Sequence, residues 1–212
     1  MTAIRIHTEH GESCERPAPG TGVPPLDPAV EQELAEVVRG WLRCGYDGPG
    51  ALAESAEEYL VDGDVRPVSA AQAARLVGRL WRERLAEQAD WVGETDPERI
   101  TRAFAALEAS GITARENFTC CRSCGLAEIW ADGAQDACGF VFFHSQCTEG
   151  AAAGRDLFLM YGGFEPDEAL TVAVGREVVA ALEGEGLGWA WSGGAHDAIR
   201  VVGLDWRRRL GG

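Results

Sequence analysis

Lysine is absent from this 212-residue chain, and all nineteen basic side chains are arginine. That excludes Schiff-base and lysine-nucleophile chemistry, both of which need a side-chain amine. Positive charge is scarce altogether: 19 arginines face 34 acidic residues, for a formal net charge of −15. Such a surface suits no nucleic acid, because phosphate binding draws on counterion release by basic groups. It keeps a protein soluble and attracts basic partners, so a basic protein is the expected partner class. Long apolar runs are missing too, and no stretch approaches the roughly 20 apolar residues of a membrane span. Thr2 to Glu15 is polar and charged and lacks the apolar centre of an export signal. The expectation is a cytoplasmic protein with no membrane partner. P-loop, dinucleotide-binding, zinc-protease and serine-hydrolase signatures are likewise missing.

What is present is ordinary globular material. A hydrophobic fraction of 46% supports a buried core, and the length suits one domain or a domain with a subdomain. Seven cysteines, odd in number and irregularly spaced, do not make a secreted disulfide scaffold, so reduced thiols are expected. Cys14 falls in a tail, and Cys44 at a helix end reads as a small buried thiol.

Residues 1–25 read as a flexible leader, with Pro17, Pro19, Pro24 and Pro25 among glycines and charges. Residues 26–95 read as a helical unit. Asp27-Pro28 opens a helix with Val30, Leu34, Val38, Trp41 and Leu42 on one face, and Gly45 closes it. A short helix follows over 51–60. Capping boxes at Ser69–Gln72 and Thr95–Glu98 open two more, the first running to about Ala89 and the second ending at Gly111. Residues 96–212 read as an α+β domain. Strand-like runs appear at 112–118, 139–144, 157–161, 188–191 and 198–204, with a helix over 174–183. The expected fold class is α+β: a helical N-terminal unit, then a mostly antiparallel sheet packed by the 100–107 and 174–183 helices. Trp189 and Trp191 read as packing residues, and Trp206–Arg209 as a solvated basic terminus that pairs with the acidic body.

Chemistry concentrates at Phe118-Thr-Cys-Cys-Arg-Ser-Cys-Gly125. Cys121 and Cys124 form C-x2-C; after a gap of nineteen residues, His144 and Cys147 form H-x2-C. Zinc takes four such donors in a tetrahedron, and C-x2-C lets two thiolates meet one ion from a tight turn. The candidate ligands are Cys121, Cys124, His144 and Cys147, with Cys138 or Cys120 as substitutes. Gly125 reads as relief for the backbone of that turn. C-x2-C also resembles a thioredoxin-type redox motif, which belongs at a strand-to-helix junction inside a βαβ unit, and the strand pattern offers no parallel context. A labile vicinal disulfide of Cys120 with Cys121, or a thiol nucleophile with His144 as base, are further options. Arg115, Glu116 and Asn117 are candidates for a polar pocket.

The run Gly111-Ile-Thr-Ala-Arg-Glu-Asn-Phe-Thr-Cys-Cys-Arg-Ser-Cys-Gly125, followed by Gly139-Phe-Val-Phe-Phe-His-Ser-Gln-Cys-Thr-Glu149, resembles a bacterial domain-of-unknown-function family, with the similarity running from about Asp96 to Leu210. In that family the second segment is expected to read H-x-Q-D-T-E, so Cys147 stands where aspartate is usual. The resemblance implies a shared constellation of the three clustered cysteines with His144, Gln146, Thr148 and Glu149. It implies no activity. From the sequence, the expected function is a non-enzymatic binding or regulatory, immunity-like module with a structural cysteine turn able to hold zinc. The alternative is a thiol enzyme or redox sensor using Cys121 or Cys124 with His144.

Overall fold

The computed structural model describes residues 22–133 and 137–211. Cys14 and the leader up to residue 21 lie outside the described residues. The rest of that leader is pinned: Gln72 donates to the carbonyls of Pro24 and Pro25, each at 3.2 Å, and Arg75 to that of Val23 at 3.0 Å.

Three helices begin the described chain: α1 Pro28–Cys44, α2 Pro49–Glu58 and α3 Ala70–Ala89. The Asp27 carboxylate accepts the Ala29 N–H at 2.9 Å, satisfying one orphan donor of α1. Gly45 ends α1 with φ 78°, a left-handed conformation that glycine adopts without a Cβ penalty. Leu34, Val38, Leu42, Leu52, Leu76 and Leu80 form the core of these helices. Both expected capping boxes, at the starts of α3 and of α4 (Asp96–Ala109), are present.

The remaining elements are β1 Ile112–Arg115, α5 Arg122–Asp132, β2 Gly139–Phe142, α6 Ser145–Ala152, β3 Leu157–Gly163, α7 Glu168–Gly184, β4 Gly188–Ala190 and β5 Ile199–Val202. The five strands form one sheet in the order β1-β2-β3-β5-β4. The class is α+β, as expected, and α4 and α7 pack on the core shared by Ile112, Val141, Leu157, Leu159, Ile199 and Val201. The sheet is mostly antiparallel, as expected; the exception is β1, which runs parallel to β2, with Ile112 opposite Gly139 and Arg115 opposite Phe142. A parallel pair needs a crossover, and α5 supplies it. Strand β2 is buried on both faces: Val141 lies in the core shared with α4 and α7, while Phe140 and Phe142 meet Ile129 of α5.

The segment Trp206–Leu210 is not the expected solvated terminus. Its expected pairing with the acidic body is present: Arg208 reaches Glu116 at 3.0 Å and Arg209 reaches Glu98 at 2.6 Å. Trp206 is buried and donates to the Arg43 carbonyl at 3.1 Å, and Leu210 is buried in the helical core. The segment therefore straps the two cores together. Apolar anchors at both its ends, with charges between them, explain why a run of three arginines does not float free.

Glu98 gives the strap a pH dependence. Partial burial alone would raise its carboxyl pKa, but the Thr95 N–H and the Arg209 guanidinium outweigh that and hold it below the ordinary 4.5. A carboxylate depressed in the folded state stabilises fully above its unfolded value, and that stability is lost as pH falls through the folded value. Wild-type protein and Glu98→Gln are therefore expected to differ in urea midpoint at neutral pH and to converge in acid. A difference that stays constant with pH would remove the charge from the explanation.

Candidate thiol site

The site begins where β1 ends. Asn117 and Thr119 have φ of 49° and 58°, left-handed values that a β-branched residue such as Thr119 rarely adopts. Strain of this kind costs about 1–3 kcal/mol and persists only where neighbours enforce it. Here they do. The Phe118 N–H donates to the Phe143 carbonyl at 2.8 Å, and the Ser145 N–H to that of Thr119 at 3.1 Å. Fully buried Thr148 donates through its hydroxyl to Asn117 Oδ1 at 2.7 Å, and Ser145 Oγ donates to the Cys120 carbonyl at 3.1 Å. Two of the motif segments thus brace each other at the carboxyl ends of the parallel strands, the usual place for a site in such sheets.

The next residues open α5, and Cys121 is its N-cap. The Sγ atoms of Cys120, Cys121 and Cys124 all lie within 4.8 Å of one another, and Cys120 Sγ is 3.5 Å from Cys124 Sγ. The six described cysteines are free thiols. The thiols of the C-x2-C pair differ in acidity. The Cys124 backbone N–H, then the side chains of Cys124 and Cys120, hold the Cys121 thiol below its ordinary value. Hydrogen bonding from Cys120, then from Cys121, pushes Cys124 up to about 11.

Gly125 serves packing rather than the turn, because it lies inside α5 without a positive φ. A methyl group there would sit 2.7 Å from Cζ of Phe142, a fully buried ring. The glycine lets the first turn of α5 lie directly on β2.

The expected four-donor set is divided. His144 and Cys147 belong to the first turn of α6 and pair with each other, Nε2 to Sγ 3.3 Å, outside the three-sulfur group. His144 is 7% exposed and its Nδ1 has no partner among the described residues. Burial, then the nearby Arg122, pushes the imidazole pKa down, and burial pushes the Cys147 thiol up. Both are therefore neutral near pH 7, the reverse of what a thiolate–imidazolium nucleophile needs. Cys120, held in reserve by the spacing argument, is instead a full member of the cluster. Cys138 sits at the opposite end of the strands, with its sulfur 3.5 Å from the Gly111 carbonyl.

The polar candidates serve structure. Arg115 is tied to Glu108 and Asp132, joining α4 and α5 across β1. Glu116 accepts from Tyr46 Oη at 2.6 Å and from Arg208, whose guanidinium lies 3.8 Å from the Tyr46 ring centroid. Gln146 is exposed. Glu149 borders a cavity of about 210 Å³ together with Trp41 and Cys44, and burial, then Glu149, raises the Cys44 thiol to about 11.

A second cavity, of about 180 Å³, opens beside the first turn of α5. Arg122, Leu126, Met160, Tyr161, His196 and Asp197 help line it. It lies beside the Phe140–Phe142 face that α5 covers, where β3 supplies Leu159, Met160 and Tyr161. None of these is an expected site residue, and α5 has no counterpart among the expected helices. The available signal was Leu126, Ile129 and Trp130 at helical spacing.

Two packing predictions follow from this geometry. Gly125→Ala gains up to about 1 kcal/mol of helix propensity but overpacks a fixed ring at a cost of about 1–3 kcal/mol, so net destabilisation is expected in chemical unfolding. Gly78→Ala, in α3 with open space at its Cβ position, is the control and should stabilise the protein. Thr148→Val leaves Asn117 without its buried donor and should cost about 1–3 kcal/mol, read as a lower urea midpoint with unchanged slope.

Among the described residues no helix is long and apolar enough to cross a membrane. No curated protein and no solved structure matches the chain. A family model does, over residues 27–210, so the similarity reaches beyond the β-containing half to the N-terminal helices. With the strap and the braced cysteine loop inside the matched region, the chain belongs to the family described as a domain of unknown function, DUF6891.

Proposed function

We propose that this chain is a thiol–disulfide redox module, either a thiol enzyme or a redox sensor, working in the cytoplasm with Cys121 as the attacking thiol and Cys124 as the resolving one. The sequence alone favours a non-enzymatic binding module with a structural turn. The observation that carries the redox reading is the placement of C-x2-C at the start of α5, the helix that crosses between two parallel strands. The N–H groups of a helix's first turn stabilise a thiolate at its N-cap, and the second cysteine lies one turn on.

The chemistry follows from the unequal thiols. The Cys121 thiolate attacks one sulfur of an incoming disulfide; the S–S bond breaks, and one thiolate leaves carrying the electron pair. Cys124 then loses its proton and attacks the Cys121 sulfur of the mixed disulfide, expelling the second thiolate. The protein dithiol is oxidised by two electrons, and the incoming disulfide is reduced to two thiols. His144 supplies no base, since its ring is buried against Cys147.

A second reading, a thiolate metal site with zinc as the ion the C-x2-C spacing suggests, is favoured by the convergence of Cys120 on the same point. Treatment with a low-molecular-weight disulfide decides the redox reading. Mass spectrometry is expected to find a Cys121–Cys124 disulfide in wild type and a stable mixed disulfide on Cys121 in Cys124→Ser. Iodoacetamide labelling of Cys121 should rise with pH below the ordinary thiol value of 9.0, and that of Cys124 only toward 11. First reaction at Cys124 or Cys147, or no internal disulfide, would refute the assignment.

A further inference from the structure

We infer that Cys120, Cys121 and Cys124 together form a three-thiolate site for Cu(I), a soft monovalent cation. The inference deepens the metal reading of the cluster and gives Cys120 a role that disulfide exchange does not use.

The geometry comes first. Sulfurs about 2.3 Å from a common metal stand about 4 Å apart in a trigonal plane. Here the three sulfurs already lie within 4.8 Å of one another, with one pair at 3.5 Å. Only a small adjustment closes them on an ion. Consecutive Cys120 and Cys121 would normally direct their side chains apart. The left-handed turn at Thr119 and the first turn of α5 bring both toward Cys124.

The donor count selects the metal. Structural zinc is four-coordinate, and among the described residues no fourth histidine, cysteine or carboxylate joins this group. His144 and Cys147 are committed to each other and buried, while Cys120 is exposed, so the cluster is open to an arriving ion. Three soft thiolates without a hard or borderline fourth donor match Cu(I) better than zinc. A Cu(I) ion on three thiolates carries a net charge of −2. The N-terminus of the 11-residue helix α5 and the adjacent Arg122 offset that charge.

The test is anaerobic titration of the reduced full chain with Cu(I) against a chromophoric Cu(I) chelator, beside a matched Zn(II) titration. One Cu(I) per chain is expected, with thiolate-to-copper absorption in the near ultraviolet. Cys120→Ser and Cys124→Ser should each weaken Cu(I) binding at least tenfold, while Cys138→Ser and Cys147→Ser leave it unchanged. Cys120→Ser should still form the Cys121–Cys124 disulfide, so the copper and redox readings can fail separately. Full-strength Cu(I) binding by Cys120→Ser, or by Cys124→Ser, overturns the proposal. So does zinc binding that outcompetes Cu(I) and depends on His144 or Cys147.

Discussion

The parallel pairing of β1 with β2 is the constraint on which the cysteine end of the molecule depends. Antiparallel neighbours could be joined by a short turn, but parallel ones force the chain back along the length of the sheet. The return path is α5, and the first turn of α5 is where three sulfurs meet. Gly125 against Phe142 sets how closely the helix lies on the strand, and the Phe118–Phe143 backbone bond carries the pairing one step past the end of β1. Position and chemistry are therefore fixed by the same contacts.

Division of labour explains the arrangement of the remaining polar groups. Residues that look catalytic on paper are consumed by architecture: Arg115 bridges two helices, Glu116 anchors the strap, and Asn117 is held by Thr148. The buried His144–Cys147 pair closes the first turn of α6 behind the loop. The Cys120 sulfur, by contrast, stays exposed. A rigid polar scaffold around reactive atoms is what keeps such atoms placed without a bound ligand.

Much of the architecture was legible in the sequence, because it obeys local rules. Asp27-Pro28, the two capping boxes and Gly45 marked helix ends by their own hydrogen bonds and φ values; four strands fell within the expected runs, and β3 overlaps its run but extends two residues further, to Gly163. The failures share a cause. The orientation of β1 relative to β2 is a non-local property, and the fully buried β2 has no alternation to report direction. Helix α5 was concealed by its cysteines, which read as a knuckle, and by a glycine that is costly in a helix yet required by Phe142. Spacing brought His144 and Cys147 into one imagined site with Cys121 and Cys124, but two separate helix starts keep them apart. The two motif segments do meet, the cysteine turn reaching the segment after β2 through Ser145 and Thr148.

The strap over Trp206–Leu210 bears on how the chain folds. Leu210 lies in the same core as Leu26 and Leu34, so the earliest helices finish burying their apolar surface only when the last described residues arrive. Contacts this distant in sequence close late and slow the search, since the entropy of a long loop must be overcome before they contribute. The reward is shared fate. Because Arg208 grips Tyr46 and Glu116 at once, and Trp206 touches both the α1 end and Phe143, opening either core loosens the other. The strap thereby couples the opening of the helices to that of the thiol-bearing sheet.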